Sequence, residues 1–153
     1  MPKTIQQTVT LPAPAGSLYD MYLDPRLHGA FTGSPVTIHS QPGSEFQAFG
    51  DMLSGRMLYT VPKRLIVQSW RAKHWKPEDL DSILVLTFWP EGKSGRIELV
   101  HVNVADQDFE GVNEGWEKYY WKPWREYLQK GRFSGVTQEL KPGTISSPEM
   151  PGQ

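Results

Sequence analysis

Any chemistry in this chain has to come from histidine, carboxylate, tyrosine and tryptophan, because its 153 residues include no cysteine. That removes disulfides, thiolate metal sites and cysteine nucleophiles together. The four histidines, His28, His39, His74 and His101, lack metal-ligand spacing. No metal and no cofactor is expected. His101 stands in the alternation Ile97, Leu99, His101, Asn103, of opposite parity to Arg96 and Glu98, which turns it toward the interior. Beside an asparagine in an apolar space, such a ring can orient a ligand carbonyl or act as general acid or base near neutral pH. A silent core histidine, hydrogen-bonded locally, accounts for the same position. His28 is expected at the mouth of that space, and His39 and His74 at an exposed strand end and loop.

Recognised catalytic constellations are absent. The sequence has no G-x-S-x-G, H-E-x-x-H, G-x-x-x-x-G-K or G-x-G-x-x-G. The acidic groups Glu78, Asp79, Asp81 and Asp106, Asp108, Glu110 match no calcium loop and read as solvated, with Asp108 or Glu110 favouring the positive end of the helix that follows. Arg71 is placed to pair with a carboxylate of a neighbouring strand. The balance is against an enzyme. More informative are the aromatics Trp70, Trp75, Trp89, Trp116, Tyr119, Tyr120 and Trp124, which can wall a pocket for a flat or greasy ligand. Core packing explains them equally well one at a time.

Positioning these residues requires a particular set of elements. Gly111 to Lys130 sets Val112, Trp116, Tyr120, Trp124, Tyr127 and Leu128 on one arc of an amphipathic helix. Thr4 to Leu11 alternates as a strand with one apolar face. Two short helices follow, Ala15 to Leu23 and then Arg26 to His28 after Asp24-Pro25. Further strands are read at Val36 to His39, Glu45 to Phe49, Met52 to Val61, Leu65 to Ala72, Ser82 to Trp89 and Arg96 to Val104. Leu65 to Ala72 is apolar on both faces and is expected at the centre of the sheet. Lys73 to Asp81 reads as a polar loop holding Trp75, and Pro90 to Gly95 as a hairpin loop. The order predicts an α+β helix-grip fold, a curved antiparallel sheet wrapped around the long helix. Pro123 interrupts that helix on its sheet-facing arc, where a kink is expected.

Residues 1–135 are expected to form one domain and 136–153 a flexible tail. The 16 basic against 17 acidic residues leave a formal charge of -1, with no field for nucleic acid or an acidic membrane. Neither a signal peptide nor an apolar run of spanning length occurs, so a cytoplasmic protein is expected.

The runs LHGAFTGSP, SEFQAFGDMLSGRMLYTVPKRLIVQSWRAKHW, SILVLTF and NEGWEKYYWKPWREYL resemble, in that order, the family named for the C-terminal domain of the activator of the heat shock protein 90 ATPase. This family lies within the START-like superfamily. Phe31 and Thr32, Phe46, Gly50, Gly55, Ile66, Trp70, Arg71, Trp75, Gly115, Trp116, Tyr119 and Tyr120 carry the match. The resemblance implies the helix-grip fold and an internal cavity, without implying one activity. Since the chain begins at the first strand of that domain, stimulation of a chaperone ATPase is not expected. Residue pattern and resemblance together predict a small apolar or aromatic ligand between helix and sheet, held by Phe31, Trp70, Trp75, Leu99, His101, Trp116, Tyr120 and Trp124. Two alternatives stand beside it, a protein-binding module with a chaperone or other protein partner, and a polyketide cyclase-like enzyme using His101.

Overall fold

The computed structural model describes residues 1–131, so the expected tail at 136–153 and the boundary before it lie outside the described residues. The chain runs as β1 (Lys3–Leu11), α1 (Ala15–Leu23), α2 (Pro25–Thr32), β2 (Val36–Thr37), β3 (Glu45–Ala48), β4 (Leu53–Val61), β5 (Leu65–Ala72), β6 (Ser82–Glu91) and β7 (Ser94–Val104). A 3-10 turn (Asp106–Asp108) then leads into α3 (Phe109–Gly115), a π-helical segment (Trp116–Trp121) and α4 (Lys122–Gly131). The strands form one seven-stranded antiparallel sheet in the order β1-β7-β6-β5-β4-β3-β2. This is the helix-grip arrangement, with β5 and β6 near the middle.

Local chemistry explains the boundaries. Asp24 caps α2 by accepting from the N–H groups of Arg26 and Leu27, with Pro25 in its first turn. The helix runs on to Thr32, beyond the His28 end expected from sequence, where Gly33 at φ 79° closes it, and this carries Phe31 onto its buried face. The β6–β7 hairpin is tighter than the predicted loop, because Pro90 and Gly95 still pair and only Gly92 and Lys93 turn. Between β4 and β5, a Cβ on Gly55 would sit 1.9 Å from the carbonyl oxygen of Ser69. Only glycine permits that approach, and the β4–β5 register shifts a few residues on, between Met57 and Tyr59.

The inner face of the sheet carries Ile66, Gln68, Trp70, Leu84, Leu86, Phe88, Ile97, Leu99 and His101, all buried. Against it lie α1, α2 and the helical run from Phe109 to Gly131. In that run the Lys122 N–H reaches the Glu117 carbonyl, five residues back, in place of the usual four. Pro123 supplies the reason: it has no N–H to give, and its ring would strike the carbonyl four residues earlier in an α-helix. Widening by one residue removes the conflict. The predicted kink at Pro123 therefore takes the form of a π segment immediately before it.

Candidate functional site

His101 is wholly buried and every polar atom of its ring is engaged. The Trp116 indole N–H donates to Nδ1 at 3.2 Å, which fixes the ring proton on Nε2. Nε2 lies 2.8 Å from the Ser82 hydroxyl, which in turn donates to the Trp70 carbonyl at 2.7 Å. One polar chain thus ties the helix to β7, β6 and β5. Burial lowers the His101 pKa to about 3, so the ring is neutral at ordinary pH. Without a free nitrogen it is a tie within the core rather than a poised base. Asn103, expected beside it, sits at a positive φ of 64° and turns to donate to the Asp81 carbonyl at 3.1 Å. The strand alternation breaks there.

A second chain holds α1 and α2 to the helix. The His28 Nδ1 donates to the Tyr22 carbonyl at 2.7 Å, and Nε2 accepts from the Tyr120 hydroxyl at 2.8 Å. The Tyr22 hydroxyl donates to Gln68 Oε1 at 2.7 Å. His28 is buried in this network, not at a mouth, and burial lowers its pKa to about 4. Its ring stacks on Phe31, and Phe31 stacks on Trp124 with centroids 4.2 Å apart. Trp121 continues the column between Trp124 and Trp116.

Trp121 was not legible as a core residue, because an ordinary helix would carry it off the arc. The π segment restores it, and its indole N–H donates to Gln7 Oε1 at 2.7 Å while the Gln7 amide donates to Asn113. The signal available in the sequence was Pro123, two residues on. Trp124 is 0% exposed and its Nε1 is the one buried side-chain polar atom without a hydrogen-bond partner among the described residues.

An apolar cleft lies at the other end of the helix. A cleft of about 300 Å³ opens between α3, the π segment, the β3–β4 turn and the end of β5. Trp70, Ala72, Val112, Trp116 and Tyr120 form its apolar walls. Phe49 closes one side, edge-on to Tyr119 at 5.7 Å and to Tyr120 at 6.1 Å. Phe49 adopts φ 54°, a left-handed conformation costing a non-glycine residue on the order of 1–2 kcal/mol. Gly111 and Gly115, one helical turn apart, also line the cleft, and their missing side chains leave it open. His74 and Asp108 stand among the lining residues. His74 is exposed in its loop, as expected, yet also borders the cleft, and Asp108 precedes α3, as expected, without a side-chain cap bond.

Of the predicted ligand-binding residues, Trp70, Trp116 and Tyr120 line the cleft. Phe31, Trp75, Leu99, His101 and Trp124 are buried in the core outside its lining. Tyr119 lies at the rim, about half exposed, while Trp89 packs outside the cleft beneath Arg64 and Arg96. Arg71 meets Asp81 at 3.1 Å and also donates to the carbonyls of Asp79 and Lys76, so it organises the loop beside the cleft. Among the described residues no group of three or more histidine, aspartate or glutamate side chains is placed to hold a metal ion. No described helix is long and apolar enough to cross a membrane.

Comparison with known proteins gives a consistent set of likenesses. The sequence profile of the family described as "Activator of Hsp90 ATPase homolog 1-like protein" matches residues 12–129. An activator of 90 kDa heat shock protein ATPase homolog from Dictyostelium discoideum is 30% identical over 101 residues, 65% of this chain but only 26% of that protein. The chain thus spans about a quarter of that curated relative. Among solved structures, an HSP90 activator from Plasmodium falciparum superposes with a TM-score of 0.75 at 18% identity, covering 83% of this chain and 96% of the other. CalU16 from Micromonospora echinospora superposes with a TM-score of 0.70 at 22% identity, covering 82% and 74%. At these identities the structural likenesses establish the fold.

Proposed function

This chain belongs to the family of Activator of Hsp90 ATPase homolog 1-like proteins, and from that premise we propose that it binds a small apolar or aromatic molecule in the cleft under α3 and the π segment. The observation that carries the reading is the cleft itself, about 300 Å³ walled by Trp70, Val112, Trp116 and Tyr120. Its volume lies at the lower end of the range typical of small-molecule sites. The walls are preorganised, since Trp116 is fixed by His101 and Tyr120 by His28. Rigid aromatic walls reduce the entropy lost on binding. Native mass spectrometry of the protein purified from its own host tests the proposal. A small molecule retained by the wild type and lost from Gly115→Leu, which fills the cleft, is the expected result. No adduct, together with no saturable quenching of tryptophan emission by naphthalene derivatives, removes the reading.

A second reading, a protein-binding module, draws on the outward face of the sheet. Tyr59, Val67, Val85 and Val100 stand opposite one another across β4, β5, β6 and β7, with Tyr59 56% exposed. A row of this kind is a surface a protein partner can cover. The named relatives are activators of the heat shock protein 90 ATPase, so that chaperone is the partner to try. Calorimetry with the purified chaperone should give heat that Val85→Glu abolishes. No heat at high micromolar concentration discards this reading and leaves the cleft untouched.

A further inference from the structure

Resting on the reading of the cleft as a ligand site, we infer that Asp108 recognises the polar end of the ligand and that the ligand is an aromatic molecule bearing a hydroxyl donor. Asp108 closes the 3-10 turn ahead of α3, and His74 and Trp75 follow the end of β5; the fold brings the three together. The Trp75 indole N–H donates to Asp108 Oδ2 at 2.8 Å, and His74 Nε2 lies 3.1 Å from the same oxygen. Trp75 is itself buried against Trp70, with ring centroids 5.7 Å apart. The carboxylate is therefore held in place, with its side chain only 19% exposed.

Its other oxygen is differently situated. A Cβ on Gly111 would come within 3.2 Å of Oδ1, so Oδ1 adjoins the space that this glycine leaves in the cleft wall. Among the described residues no donor is bonded to Oδ1. The site thus presents an acceptor carrying negative charge at the edge of an aromatic slot. A phenolic O–H satisfies Oδ1 with a charge-assisted hydrogen bond. A ligand carboxylate would face the like charge of Asp108, whose neighbour His74 is already directed at Oδ2, and an ether would leave the acceptor unpaired.

Three probes of matched shape separate these cases: 2-naphthol, 2-methoxynaphthalene and 2-naphthoate, titrated against tryptophan emission. We expect 2-naphthol to bind roughly tenfold or more tightly than 2-methoxynaphthalene, the effect of one hydrogen bond to a charged group, with 2-naphthoate weakest. Asp108→Asn keeps the shape of the side chain, and an amide can donate toward the cleft while still accepting from Trp75. It should cut the 2-naphthol preference and raise affinity for 2-naphthoate, with 2-methoxynaphthalene unchanged as the control for an intact cleft. Equal binding of all three probes overturns the assignment of Asp108 and leaves the cleft reading standing. Wild-type preference for 2-naphthoate also overturns it. Failure of all three to bind overturns it as well, and together with the absence of a native adduct it overturns the cleft reading too.

Discussion

The helical run from Phe109 to Gly131 meets the same sheet along its length, yet its two halves do different things. The α4 half is sealed: Trp124 lies between Phe31 and Trp121, and the column extends through His28 at one end and Trp116 at the other. The α3 half is open, because Gly111 and Gly115 present no side chain to the cleft that they line. Between them the π segment does both jobs, with Trp116 and Tyr120 facing the cleft and Trp121 returned to the core. Close aromatic stacking marks one half, and the apolar cleft lies beside the other.

The largest expected effect comes from breaking the sealed half. Trp124→Ala should destabilise by about 3–5 kcal/mol, the usual cost of removing a large buried aromatic, measured by urea denaturation. An effect near zero would mean that the column is not what holds α4. Next comes pH. His28 and His101 have pKa values lowered to about 4 and about 3, against 6.5 when unfolded. The unfolded chain therefore binds more protons below pH 6.5, and the contribution is complete above that value and lost as pH falls toward 4 and 3. Each ring should cost roughly 2 kcal/mol by pH 5. His101→Gln should flatten the pH dependence of the melting temperature by about half; an unchanged slope would place the titration elsewhere.

Smaller effects sharpen the contrast. Gln7→Ala leaves the Trp121 N–H without its acceptor and should cost about 1–2 kcal/mol, read from chemical denaturation with a shift in tryptophan emission. If neither changes, the π register does not depend on β1. At the opposite extreme, Gly115→Ala should stabilise by up to about 1 kcal/mol through helix propensity. Its Cβ would meet nothing nearer than the Tyr119 ring at 3.6 Å. Weaker binding of 2-naphthol with a higher melting temperature would show that the glycine serves the cleft rather than the fold. A loss of stability would argue against that assignment.

Much of the architecture was legible because periodicity is a local property. The alternation in β1, β5 and β7 and the helical arc of Val112, Trp116, Tyr120 and Trp124 each announced a face, and a face needs a partner. The sequence determined which faces turn inside, that the strands form one antiparallel sheet, and that Pro123 disturbs the helix, though not that Trp121 and His28 are buried. It could not separate core from cleft. Phe31, Leu99 and Trp124 share the composition and parity of Trp70, Trp116 and Tyr120, and which of them border empty space depends on how the helix lies on the sheet and on the gaps at Gly111 and Gly115. From the sequence His101 is a candidate for acid–base chemistry and His28 for a cavity mouth, but Trp116, Ser82, Tyr22 and Tyr120 occupy their nitrogens within the core. Asp108 and His74, far apart in sequence and unremarkable there, meet only because β5 ends where α3 begins. Local pattern fixes what a side chain turns toward; what waits there is decided by elements distant in the chain, and only the tertiary structure brings them together.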